Sequence, residues 1–142
     1  MSLHTISTSL LLLSLSGLAF AGPAADDANL HFKAIASGDV DQLMGSYNKD
    51  ATLQWVGGPL DGVYNGDARL REVWSKFTTS QGKLEHKVSN LQESANPKGA
   101  TVTANVEFKG KAPIKVRYVL TYREGKIVNE VWQIDPNMAS GY

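Results

Sequence analysis

The strongest constraint on how this chain can fold is a ribbon near its C-terminus, residues 114–136, reading IKVRYVLTYREGKIVNEVWQIDP. Successive side chains of an extended strand point to opposite faces, so apolar residues at a period of two mark a sheet with one buried side. Ile114, Val116, Tyr118, Leu120 and Tyr122 fall on one face, while Lys115, Arg117, Thr121 and Arg123 fall on the other beside the single apolar Val119. Arg123-Glu124-Gly125-Lys126 is a short turn whose glycine accommodates a positive φ. Beyond it Val128, Glu130, Trp132 and Ile134 share a face that is apolar except for one carboxylate. Such a face requires a cover.

The upstream chain supplies both the cover and more sheet. Asp26 and Asp27 suit a helix start, where carboxylates meet free N–H groups and the positive end of the dipole. Ala28, His31, Phe32 and Ile35 follow at helical spacing, which puts His31 on the inward stripe. Ser37-Gly38 ends that helix, and Val40, Leu43, Met44 and Tyr47 trace a short second one. A strand over residues 51–56 stops at Gly57-Gly58-Pro59, and a brief strand over 60–64 follows. Leu70, Val73, Trp74 and Phe77 then form the apolar stripe of the strongest helix, the natural lid. After Gly82 the period changes to two, with Leu84, His86 and Val88 alternating against polar residues. Val102, Ala104, Val106 and Phe108 do the same beyond the Asn96-Pro97-Lys98-Gly99 turn. Helices followed by a run of strands predict an α+β fold: a curved, mostly antiparallel sheet wrapped around the N-terminal helices as a cone-shaped, cystatin-like roll. The open end of the cone is where a small molecule would enter.

Residues 10–18 are apolar and precede Ala19-Phe20-Ala21, the pattern of a signal peptide over residues 1–21. A retained anchor is the alternative, but the apolar stretch falls short of the ~20 residues a span requires. Residues 22–26 read as a mobile leader, 27–136 as one domain and 137–142 as a tail. The expected location is the periplasm or the extracellular space, with no membrane contact after cleavage. Basic and acidic residues balance at 14 each and no basic run interleaves with aromatics, which argues against nucleic acid as a partner. There is no cysteine, so packing alone must hold the exported domain. Three Trp, five Tyr and four Phe make that feasible, each burying about 150–250 Å². The histidines lack metal-ligand spacing, and no metal or cofactor is implied.

Four segments in order carry a resemblance: Ala36-Ser37-Gly38-Asp39, Tyr47-Asn48-Lys49-Asp50-Ala51-Thr52, GDARLREVW over residues 66–74 and YREGKIVNEVWQID over residues 122–135. Together they resemble the nuclear transport factor 2-like superfamily, in its SnoaL-like and ketosteroid-isomerase-like branches. The resemblance implies the cone fold but no single activity, since the superfamily hosts isomerases, cyclases, dehydratases, hydrolases and binding modules. The isomerase's oxyanion-donor Tyr falls on His31, its general-base Asp on Trp55, and its protonated Asp on Tyr118. All three have changed. A ketosteroid-type proton shuttle needs a carboxylate that Trp55 cannot supply.

The candidate catalytic residues are therefore Glu130 as acid/base, with His31 or Tyr118 as hydrogen-bond donor. Trp55, Trp132, Trp74, Tyr47, Val102 and Val116 are the expected pocket lining. Each also has a plain structural reading: His31 as a satisfied inward histidine, the aromatics as core, and Glu130 as a group that meets solvent in another strand register or pairs with His31, Arg117 or Arg123. Three functions fit. One is an exported domain binding a small, largely apolar molecule in an aromatic-lined pocket. The second is an isomerase, cyclase or lyase using Glu130. The third is a protein–protein module that homodimerises through the outer sheet face, where Val119, Ile127 and Val131 are expected.

Overall fold

Helices α1 (Pro23–Ser37) and α2 (Val40–Gly45) come first, then strands β1 (Tyr47–Val56) and β2 (Gly62–Asn65), helix α3 (Gly66–Gln81), and strands β3 (Glu85–Asn96), β4 (Gly99–Lys109), β5 (Pro113–Arg123) and β6 (Lys126–Ile134). The computed structural model describes residues 22–139; the expected signal peptide and the end of the expected tail lie outside them. The strands form one curved, unclosed sheet in the order β2-β1-β6-β5-β4-β3. Only β1 and β6 run parallel, and every other pair is antiparallel. This is the α+β roll expected from the alternation of periods.

The period-two runs of β4 and β5 bury as read, whereas in the edge strand β3 His86 is exposed and Val88 only half-buried. Val102, Ala104, Val106 and Phe108 of β4 and Val116, Tyr118, Leu120 and Tyr122 of β5 all face the core. The helices close over them: Ala28, Phe32 and Ile35 from α1, and Leu70, Val73, Trp74 and Phe77 from α3, are buried. Among the described residues no helix is long and apolar enough to cross a membrane.

Tyr47, read as the end of the second helix, instead opens β1, which starts four residues earlier than expected because α2 stops at Gly45. Two further elements differ from their sequence reading. The leader expected at residues 22–26 is largely helical: α1 begins at Pro23, which occupies the first turn where its missing N–H costs nothing. Asp26 sits inside that turn and makes no cap. The Glu93 carboxylate from β3 instead accepts from the backbone N–H groups of Ala24 at 2.9 Å and Ala25 at 3.3 Å. Gly22 makes room for it, because a Cβ there would fall 1.5 Å from Glu93 Oε2.

The second difference is in β6. Thr121 pairs with Asn129 but Tyr122 pairs with Ile127, so Val128 is an extra residue, a β-bulge. The bulge changes the parity of the strand: Ile127 and Glu130 both face inward, and Val128 is only half-buried. Ile127, expected on the outer face, is thus a core residue, leaving Val119 and Val131 as the apolar side chains of that outer group. A second irregularity between Ser89 and Gln92 of β3, where Asn90 has φ 51°, adds to the bend of the sheet. The hairpin turn itself is Glu124-Gly125, both with positive φ, a two-residue connection matched to the twist of the flanking strands.

Candidate functional site

Four elements bring polar side chains to one point inside this core. His31 comes from α1, Tyr47 opens β1, Trp74 lies on α3, and Glu130 stands beside the β6 bulge. His31 Nε2 lies 2.8 Å from Glu130 Oε2, and both side chains are fully buried. On its other side, His31 Nδ1 is 3.1 Å from Ser46 Oγ. The Ser46 hydroxyl lies 2.6 Å from the Leu43 carbonyl oxygen, to which it can donate. Trp74 Nε1 donates to Tyr47 Oη at 2.8 Å, and Tyr47 in turn donates to Glu130 Oε1.

Donor chemistry restricts the protons in this chain. The indole can only donate, so the Tyr47 oxygen accepts from it and its own proton goes to Glu130. Glu130 Oε1 is thereby an acceptor, and the remaining proton lies between Glu130 Oε2 and His31 Nε2. Tyr47 is held neutral: burial, then the neighbouring Glu130 charge and hydrogen bond, raise its pKa well above the ordinary phenol value. Burial and Glu130 push Tyr118 and Tyr122 in the same direction. Tyr118 Oη, Tyr122 Oη and Trp132 Nε1 are buried without a hydrogen-bond partner among the described residues. The Tyr118 ring packs against Phe32 and meets Trp132 edge-on.

Beside the polar chain is an aromatic cluster. Trp55 and Trp132 are register partners on β1 and β6 and stack at 4.4 Å between centroids, 27° apart. Phe108 stacks on Trp132 at 5.4 Å, and Trp74 and Phe77 meet it edge-on. The pair borders a pocket of about 560 Å³ between the C-terminal half of α3, the β1–β2 connection, the start of β5 and the end of β6. Phe77, Leu60, Ile114 and Ile134 complete its apolar wall, and Lys76, Ser80 and Gln81 of α3 supply polar groups.

Of the residues expected to line a pocket, Trp55 and Trp132 do so. Tyr47, Trp74, Val102 and Val116 are packed in the core and do not border it, nor do His31, Tyr118 or Glu130. His31 and Glu130 are brought together, not across an open hollow but with Glu130 sealed in the interior and His31 bordering a smaller cleft, apart from the aromatic pocket. Sequence reading missed Ser46, which looks like any polar helix stop. It also missed Leu60, Ile114 and Ile134, apolar residues at element ends whose convergence is tertiary. Among the described residues no group of three or more His, Cys, Asp or Glu could hold a metal ion.

A curved six-stranded sheet in this order with helices packed against it defines a class, the rolls of the nuclear transport factor 2-like superfamily. Residues 28–130 match the SnoaL-like domain, and the chain belongs to that family. Its fold is shared with a protein of unknown function with a cystatin-like fold from Nostoc punctiforme, at 17% identity and a TM-score of 0.65, covering 82% of this chain and 91% of that one. A ketosteroid isomerase-like protein from Erwinia carotovora atroseptica is similar at 15% identity and a TM-score of 0.62, covering 77% and 91%. TerC, co-crystallised with polyporic acid, is similar at 16% identity and a TM-score of 0.61, covering 80% and 92%. No curated protein matches the sequence.

Proposed function

We propose that this chain is an exported binding module that holds a small, largely apolar molecule in the pocket bordered by Trp55 and Trp132. The observation that carries the reading is the pocket itself: about 560 Å³, walled mainly by aromatic and aliphatic side chains, with its polar groups gathered on α3. That composition favours a ligand with an apolar body and a few oriented polar atoms. The structural relative TerC was co-crystallised with polyporic acid, which supports a ligand role for this architecture. An isomerase- or lyase-type reaction at Glu130 is less well supported, because that carboxylate is fully buried and does not border the pocket.

Anilinonaphthalene sulfonate and a panel of apolar aromatic acids and ketones, titrated against the tryptophan fluorescence, test the reading. Saturable quenching is expected, with a rise in Tm that follows occupancy. Trp55→Ala is expected to weaken binding at least about tenfold through loss of one stacking wall. A flat fluorescence response and an unmoved Tm across the panel would remove the basis for a ligand role. Export is tested separately by cell fractionation, the expectation being a periplasmic or secreted protein that begins at Gly22.

A further inference from the structure

We propose that Ser46, His31 and Glu130 form a serine–histidine–carboxylate acyl-transfer site that acts on small neutral esters at a second surface, away from the aromatic pocket. The three side chains stand in the required order. Ser46 Oγ is 3.1 Å from His31 Nδ1, and His31 Nε2 is 2.8 Å from Glu130 Oε2. The nitrogens are exchanged relative to the usual serine hydrolase arrangement, but the roles depend on geometry, not on atom names. Glu130 is fully buried and braced on its other oxygen by Tyr47, which Trp74 fixes in turn. A base held by an orienting carboxylate, itself immobilised, is what the chemistry demands.

One proton arrangement makes His31 a base. With its proton on Nε2, donated to Glu130, Nδ1 has a free lone pair toward Ser46. The Ser46 hydroxyl then has two acceptors within reach, the Leu43 carbonyl oxygen at 2.6 Å and His31 Nδ1 at 3.1 Å. Rotation about Cβ–Oγ moves the proton from the first, resting position to the second.

His31 and Ser46 also line a cleft of about 190 Å³ between α1, α2 and the β5–β6 turn. Gln42 and Lys126 line it too and offer N–H donors for a developing oxyanion. Lys126 is fixed there by donating to the Gly45 carbonyl oxygen at 2.7 Å. Asp27 and Lys126 both line the cleft and their opposite charges balance, which suits a neutral ester, and the small volume restricts the acyl chain to a few carbons. In the reaction, Ser46 Oγ bonds to the ester carbonyl carbon as its proton passes to His31 Nδ1. The C–O bond to the alcohol breaks, and the alcohol leaves with that proton. Water then adds to the acyl-serine, giving its proton to Nδ1, and the acid departs as Ser46 regains a proton.

The test uses the purified protein with an alkyl fluorophosphonate and with p-nitrophenyl acetate and butyrate. A stoichiometric adduct mapped to Ser46 by peptide mass spectrometry is expected, together with ester hydrolysis that falls at least about 100-fold in Ser46→Ala. The adduct is mapped on the unaltered protein, so it does not depend on any variant folding, and circular dichroism checks that Ser46→Ala keeps the fold. No adduct at Ser46, an adduct confined to another residue, or unchanged ester hydrolysis in Ser46→Ala would overturn the proposal. None of these results bears on ligand binding in the Trp55 pocket.

Discussion

Glu130 is the residue on which the interior depends, because a carboxylate with no solvent contact is tolerated only when its oxygens are paired. Its two oxygens take Tyr47 and His31, so truncation strands both partners. Glu130→Ala is expected to lower the unfolding free energy by about 3–5 kcal/mol, read from urea denaturation. Glu130→Gln keeps an oxygen for Tyr47 and offers an N–H to His31 Nε2, so its cost is expected near 1 kcal/mol. Equal losses in the two variants would mean that pairing is not what the site requires. Tyr47→Phe removes the donor to Glu130 and leaves the buried Trp74 N–H without its acceptor, with an expected cost of about 1–3 kcal/mol.

At the scale of elements, the helix that carries His31 is pinned at its start by a carboxylate from a strand about seventy residues away, since Glu93 accepts from Ala24 and Ala25. Removing that acceptor in Glu93→Ala is expected to cost about 1 kcal/mol, the usual worth of an N-terminal cap, and to fray the first turn of α1 in hydrogen exchange. Gly22→Ala is expected to displace the same carboxylate and reproduce part of the effect. This contact also marks where sequence reading stops. The alternation of Val102, Ala104, Val106 and Phe108 and the stripe of Leu70, Val73, Trp74 and Phe77 are legible because period alone decides which face is buried. His31 and Glu130 were legible as inward polar residues for the same reason. Pro23-Ala24-Ala25 reads as a linker because its cap is supplied from β3, and no local signal announces a tertiary partner. The Val128 bulge is silent too: Ile127, Val128 and Val131 are equally β-prone, so composition does not say which one is extra. Only pairing with Tyr122 and Thr121 settles it, and with it the inward turn of Ile127.

Across the whole molecule, the sheet gathers three phenols around one buried carboxylate, and this sets how the fold responds to alkali. Tyr47, Tyr118 and Tyr122 are all raised above the ordinary phenol pKa, first by burial and then by Glu130. In the unfolded chain each loses its proton near pH 10, whereas in the folded protein each keeps it. The folded state therefore binds more protons above pH 10, and stability falls as pH rises toward the folded values; below pH 10 their contribution is fully present. Each phenol contributes a slope of about 1.4 kcal/mol per pH unit, so three together give about 4. A domain of ordinary stability, about 5–15 kcal/mol, is then expected to unfold cooperatively within a few pH units above 10. A spectrophotometric titration checks this: the phenolate absorbance of these three tyrosines should appear in the same step in which far-ultraviolet circular dichroism is lost. Tyr122→Phe should flatten the pH dependence of stability by about one third, because it removes one of the three linked protons and leaves the hydrogen bonds of Glu130 in place. Phenolate signal from all three while the dichroism stays native would show that the phenols around Glu130 reach solvent, and the sealed interior described for this site would have to be abandoned.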